Sequence, residues 1–125
     1  AHYNAVCRIE TGLEPLSLLR FLKGLEHEIG RRPSADRGGP RPIDLDILLF
    51  DDRVVETDDL TIPHPRLAER ACVVQPLAEI APDVEIPGTG GTARVLASKV
   101  GEAGLTCLAG PGWDGVAGVG QQVRL

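Results

Sequence analysis

The stretch that most constrains the fold is residues 30–50, where an arginine-rich, loop-forming half runs directly into an apolar half. The first half contains residues that interrupt regular structure: Pro33, Gly38, Gly39, Pro40 and Pro42. The second half, residues 43–50, is apolar except at Asp44 and Asp46. Because this run is too short for a typical helix, the sequence predicts a buried strand.

The two aspartates are expected on one face of that strand. Side chains alternate between faces, so Asp44 and Asp46 point the same way, about 7 Å apart. The alternation puts Leu48 and Phe50 on the aspartate face and the following residues on the other: Ile43, Leu45, Ile47 and Leu49. Two carboxylates beside a core repel each other and resist desolvation, and bound Mg²⁺ removes both costs. The alternative is an edge strand with two solvated aspartates.

The loop-forming half carries a local positive charge in a chain whose formal net charge is −5. Its arginines are Arg31, Arg32, Arg37 and Arg41. Guanidinium groups bind phosphate in a bidentate manner, and arginines beside metal-binding carboxylates are typical of phosphoryl transfer. The net negative charge argues against a general nucleic-acid or membrane surface. Together these features favour a nucleotide site.

Gly30-Arg31, followed by Arg-Gly-Gly-Pro-Arg-Pro-Ile-Asp-Leu-Asp-Ile-Leu at residues 37–48, resembles the signature of the 6-hydroxymethyl-7,8-dihydropterin pyrophosphokinase family. The resemblance extends from about Tyr3 to Trp113. It implies Mg²⁺-dependent transfer of pyrophosphate from ATP to a pterin in folate biosynthesis. It also implies an α+β fold, a ferredoxin-like two-layer sandwich.

The resemblance also implies roles for individual residues. Asp44 and Asp46 would bind Mg²⁺, and Arg31 and Arg41 would stabilise charge on the transferring phosphates. The implied ATP contacts are Glu26, Arg37, Ile47, Thr61, His64 and Arg70, and the implied pterin contacts are Tyr3, Asn4, Asp44 and Cys72. Cys72 stands where the family usually has a phenylalanine that stacks on the pterin. For His64 the alternative is a histidine hydrogen-bonded within its own turn.

Periodicity predicts the other elements. A strand at 5–11 precedes a helix from Pro15 to Gly30, whose apolar stripe is Leu18, Leu22, Leu25 and Ile29. Short strands are expected near 54–55 and 60–62, a helix over 66–80 that breaks at Pro76, and a helix over 93–100 capped by Thr92. We expect a pyrophosphokinase-like domain at 1–113 and a flexible tail at 114–125.

The resemblance further implies that the family's N-terminal strand, helix and strand do not occur in this chain. Separately, the sequence contains no methionine. In the family's sheet the first strand lies between the strands expected here at 5–11 and 43–50. We therefore expect an unfilled place between them, poor stability and no activity for this chain alone. Other folate-pathway domains, or a chain that supplies the strand, are the expected protein partners.

Cysteine usage and two further alternatives complete these expectations. Cys7, Cys72 and Cys107 are widely spaced, which favours reduced thiols and a cytoplasmic location. The residues alone also leave open another Mg²⁺-dependent nucleotidyl- or glycosyltransferase. A non-catalytic nucleotide-binding or anion-binding fragment of the same fold is the second alternative.

Overall fold

The structure is a computed structural model that describes residues 4–30, 43–102, 104–105 and the backbone of 121–124. Its elements are, in chain order, β1 (Val6–Ile9), α1 (Pro15–Gly30), β2 (Asp46–Leu49), β3 (Val55–Glu56), β4 (Thr61–Ile62), a 3₁₀ turn (Leu67–Glu69), α2 (Ala71–Ile80), β5 (Glu85–Ile86), β6 (Gly91–Thr92), α3 (Ala93–Val100) and β7 (Gln121–Arg124). Mixed α/β architecture is thereby confirmed.

Helix α1 forms over the predicted residues, with Pro15 in its first position, where a missing N–H costs nothing. Of its predicted apolar stripe, Leu18 and Leu22 are buried, whereas Leu25 is half-buried and Ile29 is exposed. The stripe therefore contacts the rest of the molecule mainly through the first half of the helix.

The main sheet has the order β1-β7-β2, with β7 antiparallel to both neighbours. Strands β1 and β2 are therefore parallel to each other. Val6 and Asp46 both pair with Arg124, so β1 and β2 begin at the same end of the sheet.

Strand β7 corrects the expectation of an unfilled place between the two predicted strands. Residues 121–124, which the sequence assigns to a flexible tail, occupy that place and pair on both sides. The physical reason is that the facing N–H and C=O groups of β1 and β2 need hydrogen-bond partners once they leave water. The domain boundary at 113 and the N-terminal incompleteness stay predictions.

Helices cover both faces of this sheet, so the described part has three layers and the predicted two-layer arrangement is wrong. On the α1 side the buried residues are Leu18, Leu22, Leu45, Ile47, Phe50, Leu60 and Ile62. On the α2–α3 side they are Val6, Leu48, Leu49, Leu67, Val73, Val74, Leu77, Ala81, Ile86, Ala93 and Leu96. Strand β2 contributes apolar side chains to both clusters, and a strand that is apolar on both faces has to be covered on both.

A β-bulge changes the predicted alternation in β2. The pairing with β7 shifts register between Ile47 and Leu49. As a result Leu49 joins Leu48 in the α2-side cluster, and Phe50 joins Ile47 in the α1-side cluster. The predicted faces of Leu49 and Phe50 are therefore reversed, because the extra residue of a bulge moves every later side chain to the other face.

The C-terminal helices differ from prediction in one boundary. The break in the predicted helix at 66–80 falls at Arg70, whose backbone is extended, and α2 continues through Pro76. The cap of α3 is confirmed, because the Thr92 hydroxyl accepts a hydrogen bond from the Val95 N–H. Strands β5 and β6 form a small hairpin that the sequence patterns did not predict.

Candidate active site

The predicted metal ligands lie where the chain enters β2. Asp44 is exposed and Asp46 is half-buried. Between and after them, Leu45 and Ile47 are each 3% exposed and pack against α1. Because successive side chains of an extended backbone point to opposite faces, we expect both carboxylates to point away from α1.

Glu26 reaches the same segment from α1. Its side chain is buried, and its Oε2 accepts a hydrogen bond from the Leu45 N–H at 2.8 Å. The Lys23 ammonium lies 3.2 Å from the Glu26 carboxylate and donates to the Leu45 carbonyl at 3.5 Å. The residue between the two aspartates is thus held through its backbone by α1. A contact between Glu26 and ATP stays a prediction.

His64 lies beside β2. Its backbone N–H donates to the Leu48 carbonyl at 2.9 Å, and its Nδ1 accepts from the Arg66 N–H at 3.2 Å. The histidine is therefore bonded within its own turn, as the alternative reading expected, and that turn is joined to the strand that carries Asp46. Thr61 is exposed in β4. Nucleotide contacts by His64 and Thr61 stay predictions.

Arg70 and Cys72 lie at the start of α2. Arg70 is half-buried, and its carbonyl accepts from the N–H groups of the first turn of the helix. Cys72 is half-buried against the α2-side cluster. At the other end of α2, the Arg8 guanidinium donates to the Ile80 carbonyl at 3.2 Å. This contact joins the last residue of α2 to β1. Arg70 and Cys72 lie at the opposite end of the helix.

Asn4 and the aspartate pair lie at one end of the main sheet. Asn4 is exposed two residues before Val6, as Asp44 is two residues before Asp46. Val6 and Asp46 flank Arg124 of β7, so two strand spacings, about 9.5 Å in total, separate the backbones of β1 and β2. A ligand of pterin size can span that separation, so the predicted pterin and metal residues converge on one sheet end.

Four predicted site residues lie outside the described residues: Tyr3, Arg31, Arg37 and Arg41. The arginine-bearing segment joins Gly30 to Ile43. Gly30 lies one helical turn beyond Glu26, and Ile43 directly precedes Asp44. One attachment point of the segment is therefore next to Asp44 in sequence, and the other lies on the helix that binds the Leu45 backbone.

Residues 1–82 match the family described as 7,8-dihydro-6-hydroxymethylpterin-pyrophosphokinase. The chain belongs to this family. It is 46% identical over 86 residues to the 2-amino-4-hydroxy-6-hydroxymethyldihydropteridine pyrophosphokinase of Bacillus subtilis, which is 69% of this chain and 51% of that protein. The corresponding Pseudomonas aeruginosa protein is 41% identical over 95 residues, 76% of this chain and 58% of that protein.

A longer relative is also similar. The "Folic acid synthesis protein fol1" of Pneumocystis carinii is 46% identical over 90 residues, which is 72% of this chain but 12% of that protein. The chain thus spans about half the length of the bacterial pyrophosphokinases it matches and a small part of this longer protein. The matched region contains the aspartates, the histidine turn and the start of α2.

The aspartate pair of this pyrophosphokinase-family chain fits Mg²⁺ through its donor chemistry. Within the described ranges, no group of three or more histidine, cysteine, aspartate or glutamate side chains could hold a metal ion by itself. Mg²⁺ bound to a nucleotide usually takes only one or two protein carboxylates, because phosphate and water oxygens complete its octahedron. Asp44 and Asp46 satisfy that smaller requirement.

Among the described helices, none is long and apolar enough to cross a membrane.

Sequence reasoning missed the contacts of Lys23. The apolar stripe predicted for α1 includes neither Lys23 nor Glu26, and no contact of Lys23 was predicted. Their spacing of three residues was the available signal, since it brings an acid and a base together on a helix. The partner of the pair, the Leu45 backbone, lies 19 residues from Glu26 in sequence and has no such signal.

Proposed function

We propose that the protein transfers the pyrophosphoryl group of ATP to the hydroxymethyl oxygen of 6-hydroxymethyl-7,8-dihydropterin. The observation that carries this proposal is the pair Asp44 and Asp46 at the start of β2, on either side of the buried Leu45 and within the region that matches the pyrophosphokinase family. The chain's family membership supports the reaction class, and the sheet end shared by Asn4 and Asp44 supports two adjacent substrates.

In this reaction the pterin hydroxyl oxygen forms a bond to the β-phosphorus of ATP. The bond from that phosphorus to the oxygen bridging the α- and β-phosphates breaks, AMP leaves with that oxygen, and the hydroxyl proton passes to water. When bound, Mg²⁺ supplies charge neutralisation on the phosphate oxygens. Asp44 and Asp46 would hold it at the start of β2.

The other residues position the substrates in this proposal. Asn4 pairs with the heteroaromatic edge of the pterin, because an amide offers a donor and an acceptor side by side. Arg31 and Arg41 stabilise the charge that develops on the transferring group. The residues proposed to position ATP, directly or through a neighbouring residue, are Glu26, Arg37, Ile47, Thr61, His64 and Arg70, and Tyr3 and Cys72 complete the pterin pocket. Since Ile47 is buried against α1, we propose that it acts through its backbone.

Product analysis tests this function. Full-length protein is incubated with ATP, Mg²⁺ and the hydroxymethyl pterin, and nucleotides are separated by chromatography. We expect AMP and pterin diphosphate in equal amounts, and no AMP when 6-methylpterin, which lacks the accepting hydroxyl, replaces the substrate. Nucleotide binding by calorimetry without AMP formation would instead support the non-catalytic alternative.

Replacement of Cys72 tests the pterin pocket. Cys72→Phe provides an aromatic face, and such a stacking pair contributes about 0.5–1.5 kcal/mol beyond burial. We therefore expect pterin affinity to rise by about two- to tenfold in calorimetry. Cys72 also packs against the α2-side core, where a larger side chain costs about 1–3 kcal/mol of stability.

A matched variant separates the two effects. Cys72→Leu enlarges the side chain without a stacking face, so we expect it to share the loss of stability but not the gain in affinity. Equal affinities for the two variants would show that Cys72 does not line the pterin site.

A further inference from the structure

The backbone of Leu45 is held on both of its polar groups by one ion pair. Glu26 accepts its N–H at 2.8 Å, and Lys23 donates to its carbonyl at 3.5 Å. The Leu45 side chain is 3% exposed within the α1-side cluster. Backbone and side chain of this single residue are therefore both anchored to α1.

Leu45 is also the residue that separates Asp44 from Asp46. The dihedral angles of the intervening residue set how far apart two such carboxylates lie and whether they converge. A metal ion bound by both side chains requires that geometry to hold within a few tenths of an ångström. The contacts that fix the Leu45 backbone therefore also fix the relative positions of Asp44 and Asp46.

The chemistry of Glu26 argues that this contact is more than helix packing. Its side chain is 5% exposed, and burial of an ionised group is unfavourable unless charge and hydrogen bonds compensate it. Here Lys23 supplies the opposite charge and the Leu45 N–H supplies a hydrogen bond. An apolar residue at position 26 would fill the same place against the core without that cost, but it would leave the Leu45 N–H without this acceptor.

We propose that Lys23 and Glu26 form a positioning pair that fixes Asp44 and Asp46 in the geometry needed to bind Mg²⁺ with ATP. Both residues act through the Leu45 backbone and need not touch the substrates. The inference rests on the proposed function, and it assigns to Lys23 a role in metal affinity.

Three variants of the full-length protein test the pair. Glu26→Ala removes the acceptor, Glu26→Gln keeps an oxygen that can accept the Leu45 N–H, and Glu28→Ala is the matched control, since Glu28 is exposed on the same helix. Hydrogen bonds to groups that orient metal ligands typically change metal affinity or activity by 10- to 100-fold. For Glu26→Ala we expect the Mg²⁺ concentration that gives half-maximal rate to rise by about tenfold or more.

The same experiment distinguishes positioning from substrate contact. If Glu26 positions the aspartates, Glu26→Gln stays within about threefold of wild type, Glu28→Ala is unchanged, and the KM for ATP at saturating Mg²⁺ changes little in all three variants. A large rise in the KM for ATP with an unchanged Mg²⁺ requirement in Glu26→Ala would overturn the proposal, because it would identify a direct nucleotide contact. Lys23→Met should raise the Mg²⁺ requirement in the same direction as Glu26→Ala.

Two measurements on the same variants need no turnover. Nuclear magnetic resonance gives the hydrogen exchange rate of the Leu45 amide, and Mn²⁺ added with ATP broadens the amide signals of residues bound to it. We expect faster Leu45 exchange and weaker broadening at Asp44 and Asp46 in Glu26→Ala, but not in Glu28→Ala. If wild type transfers no pyrophosphate but Glu26→Ala differs from it in these two ways, the positioning pair stands and the proposed reaction fails. Unchanged exchange and broadening in Glu26→Ala would overturn the positioning role itself.

Discussion

We expect Asp46→Asn to lower the rate of the proposed pyrophosphoryl transfer by about 10²- to 10³-fold, the usual effect of removing one group that stabilises charge in the transition state. Asp46 is half-buried at the start of β2, and asparagine has nearly the same shape, so the fold should be retained. The neutral amide is a weaker Mg²⁺ ligand than a carboxylate. The measurement is kcat at saturating ATP and pterin over a range of Mg²⁺ concentrations.

Two companion variants make that result specific. Asp44→Asn should reduce the rate by a similar factor, because Asp44 shares the face of Asp46. Asp59→Asn changes an exposed aspartate in the loop before β4 and should leave the rate within about twofold of wild type. Wild-type rates in Asp46→Asn at saturating Mg²⁺ would show that the pair is only the solvated edge of a strand.

Removal of residues 121–125 should destabilise this chain severely. Strand β7 pairs with β1 and β2, and each backbone hydrogen bond contributes about 0.5–1.5 kcal/mol net. Loss of both ladders therefore consumes much of the roughly 5–15 kcal/mol that stabilises a typical domain. We expect a lower and less cooperative thermal transition by circular dichroism, and a tendency to associate through the exposed strand edges.

A point substitution tests the same strand without shortening the chain. Val123 pairs with Cys7 on one side and Ile47 on the other. Val123→Pro removes its N–H from a central strand and should cost about 2–4 kcal/mol, the sum of a lost bond and an unsatisfied buried partner. Val123→Thr keeps the N–H and the β-branched shape and serves as the control. Equal melting temperatures for Val123→Pro and wild type would show that β1 and β2 do not depend on β7.

Local patterns predicted the elements that lie near each other along the chain. Proline and glycine bounded α1 at Pro15 and Gly30, and the run of apolar residues after Pro42 marked β2. The two-residue period of a strand predicts a shared face for Asp44 and Asp46, and Leu45 between them is buried as that period requires. These features are set by backbone geometry within a few residues, so a sequence contains them directly.

The features that sequence reasoning missed depend on distant partners. The bulge after Ile47 exists only relative to a neighbouring strand, and the placement of β7 depends on backbone groups of β1 and β2 far from it in sequence. The third layer arises because β2 is apolar on both faces, which the short run in the sequence does not distinguish from a one-sided strand. The buried role of Glu26 is likewise set by Leu45, to which no local pattern links it.

In the proposed reaction a pyrophosphoryl group moves as one unit from ATP to the pterin. ATP carrying ¹⁸O in the non-bridging oxygens of its β- and γ-phosphates is supplied to the full-length protein with Mg²⁺ and 6-hydroxymethyl-7,8-dihydropterin. Mass spectrometry should then find both labelled phosphates on the pterin and unlabelled AMP. A pterin with one labelled phosphate together with labelled ADP, or no labelled pterin at all, would contradict the account.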